Sequence, residues 1–281
     1  MATIADKRRV FRDLHREGCF ALPNPYDVGS ARYLQSLGFK ALATTSAGAS
    51  WGMGRPDDGV SRDVMLDHIR GIVEATDLPV NADFTNGYAD DPEDVAENVR
   101  LCMATGVAGL SIEDMSGAKG NQLYDIDLAV ERVAAARAAI DAAGADAILV
   151  ARSEAVRVGH PDSLAEAIRR LERFADAGAD CLYAPFVHAR DDVAVLVKAV
   201  APKAVNVLIG GPVGLTMADL ADLGVRRVSV GGALARAAWG GVMRAARELA
   251  ESGRFDALGE AVSYAEIDGF FIADAAGRAK S

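Results

Sequence analysis

Eight short apolar runs punctuate the chain, and each is followed by a longer stretch with helical periodicity. The runs occupy residues 19–22, 41–45, 79–83, 109–113, 147–152, 181–184, 204–209 and 227–230. Their apolarity is continuous rather than alternating, as expected of parallel strands covered on both faces. Between them, segments such as 128–137 and 164–174 space apolar residues three and four apart, the pattern of amphipathic helices. Gly38, Gly106, Gly178 and Gly224 close helical segments just before the next run, where glycine supplies a left-handed cap. Eight β/α repeats predict an α/β chain folded as a (β/α)8 barrel, an architecture that takes about 250 residues. A doubly wound open sheet would need a glycine-rich turn after the first strand, and Pro23-Asn24-Pro25-Tyr26-Asp27 is not one.

No linker or low-complexity tract divides the 281 residues, so residues 1–281 read as one barrel domain, with 233–281 as a C-terminal helical extension. That extension carries Ile267, Phe270, Phe271 and Ile272, more apolar surface than a lone terminal helix leaves in water. It predicts a homo-oligomer, dimer or tetramer, with the extra helices exchanged between subunits; docking onto the chain's own barrel is the alternative. The net charge of −10 argues against a nucleic-acid partner. No apolar run is long enough for a membrane span, and no export core stands at the N-terminus, so a cytoplasmic protein is expected. Cys19, Cys102 and Cys181 show no metal-ligand or disulfide spacing.

In such barrels, polar residues at the C-terminal strand ends point into the mouth, where the active site lies. Asp83 and Glu113 end neighbouring runs, and two like charges held together call for a cation. Oxygen-only ligands suit Mg2+, and Mn2+ would satisfy them too; Asn81 can add one uncharged oxygen. For either acid the alternative is a helix cap or a Lys or Arg partner. Arg152 leaves the core directly at the mouth, where it binds a substrate carboxylate or pairs with Glu113 or Glu154. Ser46-Ala47-Gly48 forms a small-residue turn whose N–H groups can face an oxyanion, and Asn206 adds a polar group on the seventh run. The four histidines have no Ser or Cys partner in a recognisable arrangement.

The ordered set Pro25-Tyr-Asp27, Ser30-Ala-Arg32, Ser46-Ala-Gly48, Gly54-Arg-Pro-Asp57, Asn81-Ala-Asp83, Ser111-Ile-Glu-Asp114 and Ala151-Arg-Ser-Glu154 resembles the isocitrate lyase and phosphoenolpyruvate mutase superfamily, from about Phe11 to Ala246. The resemblance implies Mg2+ bound by Asp57, Asp83 and Glu113, with Asn81 standing where the family has an aspartate. It implies that Ser46, Ala47 and Gly48 hold a small 2-oxo or 2-hydroxy acid, that Arg152 takes its carboxylate, and that an enolate forms as a C–C or P–C bond breaks. The lyases' Cys-containing loop is missing, since residues 117–122 read Gly-Ala-Lys-Gly-Asn-Gln. Lys119 and Asn121 instead resemble the gating loop of the phosphonomutases. Three functions follow as expectations: a Mg2+-dependent C–C lyase, an enzyme of P–C bond chemistry, or a non-catalytic barrel that binds carboxylic acids.

Overall fold

The computed structural model describes residues 2–117 and 122–279. Lys119 and Asn121 therefore lie outside the described residues. The strands are β1 (Phe20–Leu22), β2 (Leu42–Ala43), β3 (Val80–Asp83), β4 (Gly109–Glu113), β5 (Met115–Ser116), β6 (Gln122–Leu123), β7 (Ile148–Arg152), β8 (Cys181–Tyr183), β9 (Ala204–Leu208) and β10 (Arg227–Ser229). Eight of them pair in parallel in the order β1-β10-β9-β8-β7-β4-β3-β2. Across the remaining seam, between β1 and β2, the Ala43 N–H donates to Pro23 O at 3.1 Å, which brings the two edges together. The architecture is the expected (β/α)8 barrel. Every barrel strand falls inside one of the eight apolar runs. The antiparallel β5–β6 hairpin was not expected; its strands are two residues each, too short for a periodicity to register.

Helix ends follow the glycine punctuation. Gly178 sits at φ +101°, and a Cβ there would stand 2.7 Å from Arg137 Cγ, so the position requires both the left-handed backbone and the missing side chain. Two apolar layers result. One lies between strands and helices and includes Ile69, Ile72, Leu110 and Phe174. The other fills the barrel with Phe20, Leu22, Ile148, Val150, Cys181 and Tyr183, and Phe11 of the helix Ile4–Leu14 closes its N-terminal end. Gly109 makes room for that plug, because a Cβ there would stand 2.9 Å from Phe11 Cε1.

After β10 the chain forms the helix Ala233–Ser252 and continues through a 3-10 turn, Asp256–Glu260, into the helix Tyr264–Arg278. The last helix reaches the chain's own helix Val28–Ser36, with Phe270 edge-on to Tyr33 at 5.3 Å and Asp274 3.6 Å from Arg32. Of the helix Ala233–Ser252 only Ala235 is buried, while Trp239, Val242, Met243 and Leu249 stay exposed. Beside β1 and β10, where an eighth barrel helix would lie, an apolar groove is open, lined among others by Leu34, Leu37, Phe39, Leu215, Leu220 and Val228. Among the described residues no helix is long and apolar enough to cross a membrane.

Candidate active site

A pocket of about 230 Å³ opens at the C-terminal ends of the strands. Its wall contains Ser46, Ala47, Asp57, Asn81, Asp83, Glu113 and Arg152 of the residues expected from sequence. Gly48 and Asn206 lie behind that wall. Gly48 is a packing residue: a Cβ would stand 2.7 Å from Thr45 Cγ2 and 2.9 Å from Tyr26 Cβ.

Residues 46–48 are the opening turn of a short helix, Ser46–Gly52, not a free turn, because Thr45 caps it by accepting the Gly48 N–H through Oγ1 at 3.2 Å. Asp83 is tied into the same turn. Its Oδ2 accepts both the Ser46 N–H and the Ser46 hydroxyl at 2.9 Å, and the hydroxyl also reaches Asp57 Oδ1 at 3.4 Å. Of the three turn N–H groups, that of Ala47 alone makes no hydrogen bond among the described residues. Ala47 itself lines the pocket.

Arg152 stands among acids. Its Nη1 lies 3.5 Å from Asp83 Oδ1 and 3.3 Å from Glu113 Oε2, while Nε pairs with the fully buried Glu154. The guanidinium also lies 5.2 Å from the centre of the Tyr183 ring. Of the two alternatives read for Arg152, the structure shows the ion pair, with Glu113 and Glu154 both engaged at the pocket wall. Burial pushes the Glu113 carboxyl well above the usual range; Arg152 offsets this in part, while Glu154 and Asp83 add to it. Burial raises Asp57 and Asp58 as well, with Asp58 and Asp83 adding to the rise at Asp57.

Behind the wall, Asp114 takes the Glu154 N–H on Oδ1 at 2.7 Å and Arg170 Nη1 on Oδ2 at 3.2 Å. Burial pushes its carboxyl up to about 6 despite these donors. The buried Arg132 clamps the loop after β3 by donating to the carbonyls of Asn86, Ala89 and Asp90. These arginines fix the strand-end loops that carry the acids.

Carboxylates at 57, 83 and 113 bracket one small volume and present only oxygen, the donor chemistry of a hard divalent cation. Among the described residues, however, no group of three or more acidic, histidine or cysteine side chains is placed to hold a metal ion.

The model of the phosphoenolpyruvate phosphomutase family matches residues 11–250. The chain belongs to this family. A crystal structure from Burkholderia cenocepacia J2315, provisionally described as a lyase/mutase, is 46% identical, with 96% of this chain and 97% of that chain covered and a TM-score of 0.91. An oxaloacetate decarboxylase of Bradyrhizobium sp. is 33% identical over 81% of this chain and 78% of its own length. The structure of 2,3-dimethylmalate lyase, described as a PEP mutase/isocitrate lyase superfamily member, is 25% identical, with 100% of this chain and 98% of that chain covered and a TM-score of 0.85.

Within this phosphomutase-family pocket, sequence reasoning missed Asp58, Arg157, Arg227 and Ser229, all of which line the wall. Arg157 reaches Asp57 at 3.6 Å. For Arg227 a signal existed: it is a charged residue opening an apolar run. Asn206 serves this residue, accepting Arg227 Nε on Oδ1 at 2.9 Å while its Nδ2 donates to Ser229 Oγ at 3.0 Å. Asn81 likewise accepts Arg227 Nη1 on Oδ1 at 3.3 Å.

Proposed function

We propose that the protein is a Mg2+-dependent lyase that cleaves a C–C bond of a small 2-oxo or 2-hydroxy acid through an enolate. The observation that carries this reading is the convergence of Asp57, Asp83 and Glu113 on one pocket that also holds guanidinium groups and the unpaired Ala47 N–H. Asp57, Asp83 and Glu113 would hold the ion, which supplies Lewis-acid stabilisation of negative charge on a substrate oxygen. The chain's own part is positional. Ser46 fixes Asp83, Arg170 and Asp114 fix the Glu154 backbone, and the Ala47 N–H is left to donate to the oxygen on which charge develops.

A lyase that leaves its enolate to be protonated by solvent needs no cysteine in the loop after β4, and residues 117–122 contain none. Similarity to an oxaloacetate decarboxylase supports substrates of this size. P–C bond chemistry is the second reading, favoured by Lys119 and Asn121 and by the family itself. One panel separates the two. Oxaloacetate, substituted malates, 2-methylisocitrate and phosphonopyruvate are assayed for pyruvate, phosphate and phosphoenolpyruvate with Mg2+ and with EDTA. Metal-dependent pyruvate release from a carboxylic acid is expected; turnover of phosphonopyruvate alone would favour the second reading, and no turnover of any member would refute both.

We further propose a homo-oligomer in which the exposed face of the helix Ala233–Ser252 covers the groove beside β1 and β10 of a second copy. Both surfaces are apolar and remain open: Trp239, Val242, Met243 and Leu249 are exposed on the helix, and the groove is lined mainly by aliphatic side chains.

A further inference from the structure

The guanidinium groups of the pocket are not equivalent. Arg152 faces three carboxylates, Asp83, Glu113 and Glu154, so its charge is spent within the protein. Arg157 lies 3.6 Å from Asp57 and 3.9 Å from Glu154. Arg227 has no acid within ion-pair distance among the described residues. Its side chain is held by neutral groups only: Asn206 Oδ1, Asn81 Oδ1 and, at 3.5 Å from Nη1, His15 Nε2. Nη2 makes no hydrogen bond among the described residues. The residue is 3% exposed and forms part of the pocket wall.

The barrel places it there by register. Glu113, Arg152, Tyr183, Asn206 and Arg227 are successive ladder partners on β4, β7, β8, β9 and β10, so one row of inward-facing side chains carries Arg152 and Arg227 into the same cavity. Gly109 keeps the row open, since a Cβ there would stand 3.0 Å from Asn81 Oδ1. A buried charge without a counter-charge is costly, and the cost is relieved when an anion enters. An entering carboxylate thus meets its uncompensated positive charge at the floor, not at Arg152.

We infer that Arg227, oriented by Asn81 and Asn206, is the anchor for the carboxylate of the small acid, and that this anion subsite works without the metal. The inference rests on reading the pocket as an acid site, but it assigns the carboxylate to a residue other than the one expected from sequence.

The test is calorimetric titration of the full chain with oxalate, once in excess EDTA and once with Mg2+. Oxalate binding in EDTA is expected for the unaltered protein. Arg227→Met should weaken it about 100-fold, the scale of losing a buried, hydrogen-bonded charge partner. Asn81→Asp, nearly isosteric, should weaken it as well by giving Arg227 an internal carboxylate, and it guards against misfolding of the Met variant. Oxalate binding that needs Mg2+ would overturn the inference and leave the proposed function standing; no oxalate binding under either condition would overturn both. Binding in EDTA that both variants retain within about threefold would refute the assignment to Arg227 alone.

Discussion

His15 offers a prediction that reads the barrel floor through stability. Its ring caps the helix Ile4–Leu14, and Nδ1 must carry a proton because it donates to Phe11 O at 2.7 Å. Nε2 is then the unprotonated nitrogen that faces Arg227. Burial first, then the charge of Arg227, with smaller contributions from Arg12 and Arg226, pushes the imidazole pKa from 6.5 down to about 3; the hydrogen bond to Phe11 opposes this. A depressed histidine pKa means that the fold prefers the neutral ring. Between pH 6.5 and about 3 the unfolded chain binds the extra proton, so stability falls as pH falls through that window. From pH 7 to pH 5 the loss is about 2 kcal/mol.

His15→Asn removes the titration and keeps a donor for Phe11 O. It also removes edge contacts to Phe11 and Phe20 at 4.6 and 5.3 Å, a cost that does not depend on pH. Denaturant unfolding of both proteins at pH 7 and pH 5, at one protein concentration, gives the double difference in which other titrations cancel. The stability advantage of the unaltered protein over this variant should shrink by about 2 kcal/mol at the lower pH. Parallel pH profiles for the two proteins would show that the ring is not held neutral and that the account of the floor is wrong.

Other perturbations test other layers. Phe11→Ala opens the plugged end of the barrel and should cost about 3–5 kcal/mol by denaturant midpoint, because Phe11 is fully buried against Gly109. Asp83→Ala should abolish calorimetric Mg2+ binding, while Lys119→Ala should leave it intact and slow only turnover of the active substrate. Val242→Glu together with Met243→Glu places charge on the exposed face of the helix Ala233–Ser252 and should lower the mass measured by light scattering to that of the single chain; an unchanged mass would place the subunit contact elsewhere.

The barrel was legible because burial on both faces writes itself into every strand as an unbroken apolar run, and the glycine caps mark where each helix must turn. Strand ends then pointed to Asp83, Glu113 and Arg152 without any contact being known. The opening turn of the helix at Ser46 was not legible as a helix, because Ser-Ala-Gly carries no periodicity and Thr45 acts as a cap only once Gly48 is in place. Nor was the function of Asn206, which depends on a ladder neighbour from the next strand. A strand's side-chain direction follows from its own sequence, but the identity of its lateral neighbour is set by the closure of the barrel.

The least visible coupling in the sequence joins positions 81 and 227, far apart in the chain and 3.3 Å apart at the pocket floor. The superfamily resemblance makes Asn81 a lost acid, and taken alone the loss weakens a metal site. Beside Arg227 the same residue has a second effect. An aspartate at 81 would neutralise the one guanidinium of the pocket that has no carboxylate partner among the described residues, whereas asparagine orients it and leaves its charge unspent. The exchange thus shifts the floor towards positive potential while leaving Asp57, Asp83 and Glu113 at the mouth. A site charged in this way separates its two tasks by depth, with the cation attracted near the rim and the acid's carboxylate drawn below it. Asn81→Asp should therefore move the two affinities in opposite directions, raising that for Mg2+ and lowering that for oxalate. A variant in which both moved together would show that charge at 81 acts on the pocket as a whole and not through Arg227.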